Sequence, residues 1–469
     1  MTYTPYSESL SNHTTSITVF DAMMGQGKTQ KIISKINETE ITQKFIYITP
    51  LLSEAHRIAG TIYSEDDTDK KPLRCDLTRD YIYKVDAPLK DRRFKHPHYS
   101  YAGGKAQSLP TLIKDKENVT TTHQLFVNLT QELLEGVQDY ILIVDEALEI
   151  YQVLTEYPLT EIKTMLDNKW LSIGADKCTL TFHRENYAPF REAEGDSTHN
   201  TYYSRFATLC DLKQVTLIDD KVIVWELPDT LLRAFKEVWI GTYMFEGSLF
   251  SLYLKNRGLD YKVEKFGKKP SDIKHLIKLY DSTKKGNLNE IGEEVNALCS
   301  SDYKRNRGIT EGKIAAVSTN LDSFLRGTKA KKDDRIFTCF KPDLSKVGKK
   351  YKEQWLPCNT KATNDYRNTH TVAYLCNIYP IQNIAKAASK KGNSFSQEQF
   401  ALSEMIQFIF RSAIRQGEAI NLYVPSSRMR TVLKNWLNDE YEDLPEVEAE
   451  DVDNILTELE AYQKSIYTM

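Results

Sequence analysis

The sequence has few cysteines, no long apolar run and little net charge, and each absence excludes a class of protein. Seven cysteines are scattered over 469 residues without a CxxC pair, which argues against zinc fingers or a disulfide framework and predicts a reducing compartment. The sequence contains no run of about 18 apolar residues, the length that a membrane-spanning helix needs. The first residues also lack a basic segment followed by an apolar one, so we expect a cytoplasmic protein.

The charge balance excludes a protein that coats nucleic acid through net charge alone. Lysine and arginine total 62 against 65 aspartate and glutamate, a formal charge of −3, so any nucleic-acid contact must come from local patches. The basic stretch 301–353 is either a solvated face or a nucleic-acid groove. The length predicts two to four domains, and 41% hydrophobic residues suffice for their cores.

Short apolar runs that alternate with helical patterns predict an α/β fold with parallel sheets buried on both faces. The runs predicted to be strands are 16–20, 44–50, 139–146, 237–243, 313–319 and 370–379. Their grouping predicts two lobes joined near residues 248–262.

The predicted division of the chain is a first lobe over 1–250, a second lobe over 251–437 and an acidic helix or tail over 438–469. The stretch 152–236 carries its own strand candidates at 177–183 and 221–228. It therefore predicts an insertion in the first lobe, whose role the sequence does not reveal.

The first strand runs straight into DAMMGQGKTQ (21–30) and then a helical pattern, the context of a phosphate-binding loop. Backbone N–H groups of Gly25, Gln26 and Gly27 would surround a phosphate at the helix N-terminus. Lys28 would reach the β- and γ-phosphates of ATP, and the Thr29 hydroxyl would ligate Mg²⁺. A chance GKT in an ordinary turn is the alternative, which the strand before and the helix after it disfavour.

A second apolar strand ends in two acids, in DYILIVDEAL (139–148). Asp145 would hold the metal, and Glu146, which points differently, would polarise the attacking water. The alternative is an acidic pair that caps the next helix.

Positive charge for the transition state is expected from the opposite lobe. The segment QFALSEMIQFIFRSAIRQGE (399–418) places Gln407, Arg411 and Arg415 at i, i+4 and i+8, which predicts one face of one helix. A row of guanidinium donors suits a triphosphate. Taken alone, a basic surface stripe is the simpler interpretation; the other motifs favour the catalytic one.

Together these motifs resemble those of superfamily 2 nucleic-acid helicases, particularly the phage-encoded type. Ala22 stands where other phosphate loops have their first glycine, as is typical of that superfamily, and DEAL is a DEAx box. The corresponding segments are motif I at 22–29, Ia at 48–58, a DNA-contacting loop at 118–126, II at 145–148, III at 241–244, V at 360–377 and VI at 407–415. The resemblance implies two tandem RecA-like lobes that close on ATP, and the host cytoplasm for a phage-encoded protein.

The resemblance also implies roles for single residues. Arg411 would be the arginine finger, while Arg415 lies eight residues after Gln407, where the family has seven. Thr242, which ends a strand between the two sites in the family layout, would couple them. The threonines that would hold a phosphodiester backbone are Thr49, Thr121, Thr122 and Thr363.

The function implied is ATP-dependent translocation on single-stranded or forked DNA in phage replication or recombination, with replication partners, while RNA stays open as the nucleic acid. Two alternatives stand beside it. One is a terminase-like DNA-packaging motor with a C-terminal nuclease. The other is an ATP-gated binding or loading factor that grips DNA without unwinding it.

Overall fold

The computed structural model describes most of the chain between residues 15 and 440. The described residues are 15–59, 92–97, 105–127, 134, 136–175, 178–187, 202–211, 215–218, 220, 222–282, 284–309, 312–358, 366–380, 384–385, 388–389 and 396–440. The predictions for Thr363 and for nearly all of the acidic tail fall outside these residues.

The strands are the framework of the fold. In chain order they are β1 (Ser16–Asp21), β2 (Lys44–Thr49), β3 (Phe94–Lys95), β4 (Asn118–Thr122), β5 (Tyr140–Asp145), β6 (Tyr151–Val153), β7 (Leu171–Ile173), β8 (Leu180–Phe182), β9 (Val215–Ile218), β10 (Val222–Glu226), β11 (Glu237–Thr242), β12 (Tyr261–Lys265), β13 (Ile277–Leu279), β14 (Arg335–Thr338), β15 (Thr371–Tyr374) and β16 (Ile420–Tyr423).

The helices cover these sheets. They are α1 (Lys28–Glu38), α2 (Leu52–Ala59), α3 (Lys105–Lys114), α4 (His123–Phe126), α5 (Leu159–Asp167), α6 (Tyr202–Asp211), α7 (Thr230–Arg233), α8 (Leu249–Asn256), α9 (Pro270–Ile273), α10 (Ser300–Asn306), α11 (Lys313–Gly327), α12 (Leu344–Val347), α13 (Gln397–Ile409) and α14 (Ser427–Leu437). Among the helices described, none has the length and apolar character needed to cross a membrane.

The first lobe is built on a parallel sheet in the order β12–β1–β11–β5–β2–β4–β3. Its central strands are buried along almost their whole length, because helices cover both faces of a parallel sheet. β11 lies between β1 and β5, so the carboxyl ends of all three strands meet at one edge of the sheet. That edge carries the predicted phosphate loop and the predicted acidic pair.

The stretch between β5 and β11 forms the predicted insertion. Its strands β6, β10 and β9 make a separate antiparallel sheet, and β7 and β8 pair as an antiparallel hairpin. Its buried residues, among them Phe206 and Val224, pack into the same core as the first lobe. The insertion is therefore continuous with that lobe rather than a free-standing domain.

The second lobe is built on a parallel sheet in the order β13–β16–β15–β14. Its two faces pack into two separate apolar clusters. The α/β class and the two tandem RecA-like parallel-sheet lobes, with an insertion in the first, agree with the prediction.

Residues 313–319, predicted to be a strand, are helical. They open α11, whose buried side chains recur every three or four residues, as Ile314, Val317, Leu321 and Leu325. This is the period of one helix face, so the prediction from the apolar run KIAAVST was wrong.

The boundary between the lobes also differs from the prediction of residue 250. β12 (Tyr261–Lys265) pairs in parallel with β1 and completes the first sheet. The second lobe therefore begins after Lys265, because residues 251–265 supply a helix and an edge strand to the first lobe.

Candidate functional site

The predicted phosphate loop joins β1 to α1 with a tight backbone path. Gly25 and Gly27 have φ angles of +79° and +81°, the left-handed region in which a side chain is strained. Lys28 begins α1, and its Nζ donates hydrogen bonds to Ala22 O at 2.7 Å and to Met23 O at 3.2 Å. Thr29 follows, half-buried, at the second position of the helix. The loop thus has the backbone form that the sequence predicts.

Lys28 is set among charges of both signs. Burial lowers its pKa to about 8, against the opposing effect of Asp145, Glu146 and Asp21, and Arg415 of the second lobe lowers it further. An ammonium group held this way attracts anions strongly, since the surrounding medium screens its charge less than water does. The lysine therefore lies where an anionic group would meet it.

Asp145 and Glu146 end β5 beside the loop. Burial raises the pKa of Asp145 to about 6, and Tyr47 Oη on β2 donates a hydrogen bond to its Oδ2 at 2.8 Å. Glu146 has a φ of +62° and its N–H donates to Gly241 O at 2.9 Å. A non-glycine residue in this conformation carries strain of about 1–2 kcal/mol.

Asp21 is a charged residue of this edge that the sequence reasoning missed. Its buried carboxylate accepts hydrogen bonds from the N–H groups of Met244 at 2.9 Å and Phe245 at 3.1 Å. Burial raises its pKa, against these bonds and the charges of Lys265 and Lys28. The acid directly before Ala22 was the available signal, but its partners come from a segment more than 200 residues later.

Thr242 ends β11 beside the phosphate loop. It pairs with Asp21 in the sheet, and its carbonyl accepts a hydrogen bond from Ala22 N at 3.1 Å. The next residue, Tyr243, accepts a hydrogen bond from Trp436 Nε1 of the second lobe at 2.8 Å. The segment predicted to couple two sites therefore touches both lobes; its coupling role stays a prediction.

The arginine segment is not one helix, which corrects the prediction. α13 ends at Ile409, and the Ser412 hydroxyl donates to Ile409 O at 2.6 Å. Ala413 N then donates to Thr369 O at 2.9 Å, so the chain leaves the helix to join a neighbouring strand connection. Arg411 lies in the turn and Arg415 in a 3₁₀ helix (Ala413–Gln416), while Gln407 stays on α13 and donates to Ser403 Oγ at 3.4 Å.

Both arginines nevertheless face the first lobe. A Cβ atom built on Gly25 would lie 3.2 Å from Arg415 Cγ, so this side chain packs directly on the phosphate loop. Arg411 is only 6% exposed; burial lowers its pKa, and the charge of Glu146 opposes that shift. Lysine, carboxylates and two guanidinium groups thus converge on one cleft between the lobes.

Apolar contacts hold the cleft together. Met23 of the phosphate loop is buried in an apolar cluster of the second lobe that also contains Phe410, Ala413 and Ile414. The loop and the arginine turn therefore share one core. A substitution in one of these segments would therefore alter the packing of the other.

The predicted nucleic-acid threonines do not behave alike. Thr49, the last residue of β2, and Thr121, the last but one of β4, are 1% and 0% exposed. Their hydroxyls are buried in this structure, and their contact with a phosphodiester backbone stays a prediction. Thr122 is half-buried and caps α4, where its hydroxyl accepts a hydrogen bond from Leu125 N at 3.4 Å.

The residues that could hold Mg²⁺ are Thr29 and Asp145. Within the described ranges no group of three or more His, Cys, Asp or Glu residues is arranged to hold a metal ion. Mg²⁺ commonly takes one or two protein ligands and completes its shell with water and phosphate oxygens. A hydroxyl and a carboxylate beside a phosphate loop fit that pattern.

The chain is similar to a known protein over nearly its whole length, and to a family model over its second lobe. A family model described as the YonV C-terminal Rossmann-like domain matches residues 271–437. The SPbeta prophage-derived uncharacterized protein YonV of Bacillus subtilis (strain 168) is 30% identical over 447 residues, covering 90% of this chain and 99% of that protein.

Solved structures with a similar course of the chain include three helicases. A structure titled XPD helicase has a TM-score of 0.48 at 13% identity, over 91% of this chain and 96% of that one. The DUF1998 helicase MrfA bound to DNA and AMPPNP has a TM-score of 0.37 at 10% identity, over 94% and 50%. The Pyrococcus furiosus Hef helicase domain has a TM-score of 0.28 at 10% identity, over 90% and 95%.

Proposed function

The chain belongs to the YonV family, and we propose that it is an ATP-dependent nucleic-acid translocase of the helicase type, acting on DNA. The observation that carries the proposal is the convergence of unlike charges on one interlobe cleft. Lys28, Asp145 and Glu146 come from the first lobe, and Arg411 and Arg415 come from the second.

The first lobe supplies the groups for binding the triphosphate. The N–H groups of the loop and of the first turn of α1 would hold phosphate oxygens, and Lys28 would exchange its bonds to the loop carbonyls for bonds to phosphate. Thr29 and Asp145 would hold Mg²⁺, which supplies charge neutralisation of the phosphates. Glu146 directly follows Asp145 at the end of β5, and it would orient and deprotonate the attacking water.

The second lobe supplies positive charge opposite those groups. Arg411 is buried beside Glu146, and Arg415 packs on Gly25, so both lie close to where charge develops during phosphoryl transfer. Their place on the other lobe ties hydrolysis to lobe movement: with the phosphate bonds gone, the attraction between the lobes falls. Repeated closure and opening on a bound strand would move the protein along it.

The nucleic-acid partner and the biological setting follow from the proposal. A translocase that grips a phosphodiester backbone needs no base contacts, so it would act independently of sequence. The relative named as prophage-derived supports a phage setting, in which the protein would act in DNA replication or recombination.

An assay of ATP hydrolysis and strand separation tests the proposal. The substrates are forked, 3′-tailed and 5′-tailed DNA duplexes and the same tailed duplexes in RNA, each with and without ATP. Hydrolysis stimulated by single strands together with strand displacement supports the translocase. Stimulation without displacement or movement indicates a factor that only grips DNA, metal-dependent cutting of DNA indicates a packaging motor, and no hydrolysis contradicts the assignment of the cleft.

A further inference from the structure

Tyr47 stands out at the proposed ATP site because it is a buried polar side chain that no motif predicts. It lies on β2, is 0% exposed, and its hydroxyl donates to Asp145 Oδ2 at 2.8 Å. A carboxylate can only accept such a bond, and hydrogen bonds to charged groups are the stronger kind. The contact therefore fixes one of the two oxygens of Asp145.

The order of the strands shows which oxygen of Asp145 faces the phosphate loop. β5 lies between β2 and β11, and β1 with the phosphate loop lies beyond β11. Oδ2 is held by Tyr47 on the β2 side, whereas Oδ1 lies 3.8 Å from a Cβ atom built on Gly241 of β11. The tyrosine thus leaves Oδ1 on the side of the sheet that carries Lys28 and Thr29.

We propose that Tyr47 is a positioning residue that orients the Asp145 carboxylate toward the phosphate loop and so sets the affinity for the Mg²⁺ that accompanies ATP. This inference rests on the proposed function. Tyr47 touches neither ATP nor the metal; it acts through Asp145, as partners of metal-ligating carboxylates do in other sites. Position 241 places no side chain beside the second oxygen, because a Cβ atom there would lie 2.9 Å from Ile32 Cδ1.

The test compares Tyr47→Phe with Tyr253→Phe. Tyr253 is the matched control, since it is also 0% exposed and its hydroxyl donates one bond, to Leu227 O at 2.9 Å, away from the cleft. Binding of the slowly hydrolysed analogue adenylyl-imidodiphosphate is titrated with Mg²⁺, and thermal unfolding is measured without ligand. We expect Tyr47→Phe to raise the half-saturating Mg²⁺ concentration about tenfold and to leave analogue binding without Mg²⁺ unchanged. The Mg²⁺ dependence of Tyr253→Phe should stay at the wild-type level.

A double-mutant cycle separates positioning from a general structural role. In an Asp145→Asn background, Tyr47→Phe should no longer change the Mg²⁺ dependence, because the oriented carboxylate is gone. An effect of Tyr47→Phe that persists in that background, or one equal to that of Tyr253→Phe, would overturn the inference while leaving the ATP site intact. A wild-type protein that binds no nucleotide with Mg²⁺ would overturn the proposed function as well.

Discussion

Arg415 of the second lobe lies on Gly25 of the phosphate loop, with its Cγ 3.2 Å from where a Cβ atom at position 25 would be. The residue at which the proposed phosphate site needs a glycine is therefore also the residue that contacts the opposite lobe. Contact between the lobes and the shape of the loop depend on the same few atoms.

Gly25→Ala should lower the stability of the protein more than the same substitution at another glycine with a positive φ. The φ of +79° imposes strain of about 1–2 kcal/mol on alanine, and the methyl group would also press on Arg415. Gly286→Ala is the control, because Gly286 has a φ of +77° with open space around it. Urea unfolding should show a greater loss of stability for Gly25→Ala, and equal losses would contradict the contact.

Lys28→Ala should abolish ATP hydrolysis while binding of polynucleotide largely persists. The ammonium group lies among the charges of Asp145 and Glu146, and its loss leaves the triphosphate charge uncompensated. Hydrolysis is measured by phosphate release and binding by fluorescence anisotropy of a labelled single strand. Turnover that survives the substitution would show that the loop does not hold phosphate.

Arg411→Ala and Arg415→Ala should affect different kinetic parameters. Arg411 is buried next to Glu146, so its loss should lower kcat about a thousandfold. Arg415 is exposed and packs on the loop, so its loss should mainly weaken nucleotide binding. Arg326→Ala, which removes a surface partner of Asp322, serves as the control in steady-state kinetics; equal effects of all three would contradict a role for these arginines.

The contribution of His370 to the stability of the second lobe should fall as pH rises. Its Nε2 contacts Glu418 Oε2 and its Nδ1 contacts Asp334 Oδ1, each at 2.7 Å, and these bonds raise its pKa above 6.5. The stabilisation is complete below about pH 6.5, the pKa in the unfolded chain, and is lost as pH rises through the higher pKa of the folded protein.

Thermal unfolding from pH 5.5 to 8.5 checks this expectation. The wild-type Tm should fall more steeply above pH 6.5 than that of His370→Gln, and the difference should shrink in salt because the side chain is 39% exposed. His275→Gln, at another exposed histidine, controls for loss of an imidazole. Parallel curves for wild type and His370→Gln would rule out the contribution.

The bond between Trp436 and Tyr243 should contribute to holding the lobes together. Tyr243→Phe removes the acceptor and leaves Trp436 Nε1 buried without it, a change of about 1–3 kcal/mol. Trp436→Phe removes the donor but also leaves a cavity, so the double variant is needed to isolate the pair. A coupling energy of zero from urea unfolding would show that the bond adds no stability.

Local motifs predicted the residues that the first lobe contributes to the site. The phosphate loop and the acidic pair each follow a buried strand in the sequence, and parallel strands bring their carboxyl ends to one edge, so Lys28 and Asp145 were expected to meet. Tyr47 and Asp21 were not expected, because their partners depend on sheet order and on segments far away in the chain. No local pattern distinguishes Tyr47 from Phe45, the other buried aromatic residue of β2.

The errors in prediction arise where tertiary contacts override a local pattern. Nothing between Gln407 and Arg415 breaks a helix, since the segment contains neither glycine nor proline; the break comes from a hydrogen bond of Ala413 N to Thr369 O. Residues 313–319 are rich in apolar side chains that suit a strand or a helix, and only the continuation to Phe324 and Leu325 reveals the helical period.

The late arrival of β12 bears on how the lobes can be separated. A fragment that stops at residue 250 would lack the strand that covers Ser16–Asp21, and bare strand edges recruit neighbouring molecules. Cutting the chain between residues 266 and 270 instead keeps that edge covered. During synthesis on the ribosome the same rule applies: the first lobe stays open to aggregation until its last strand has emerged.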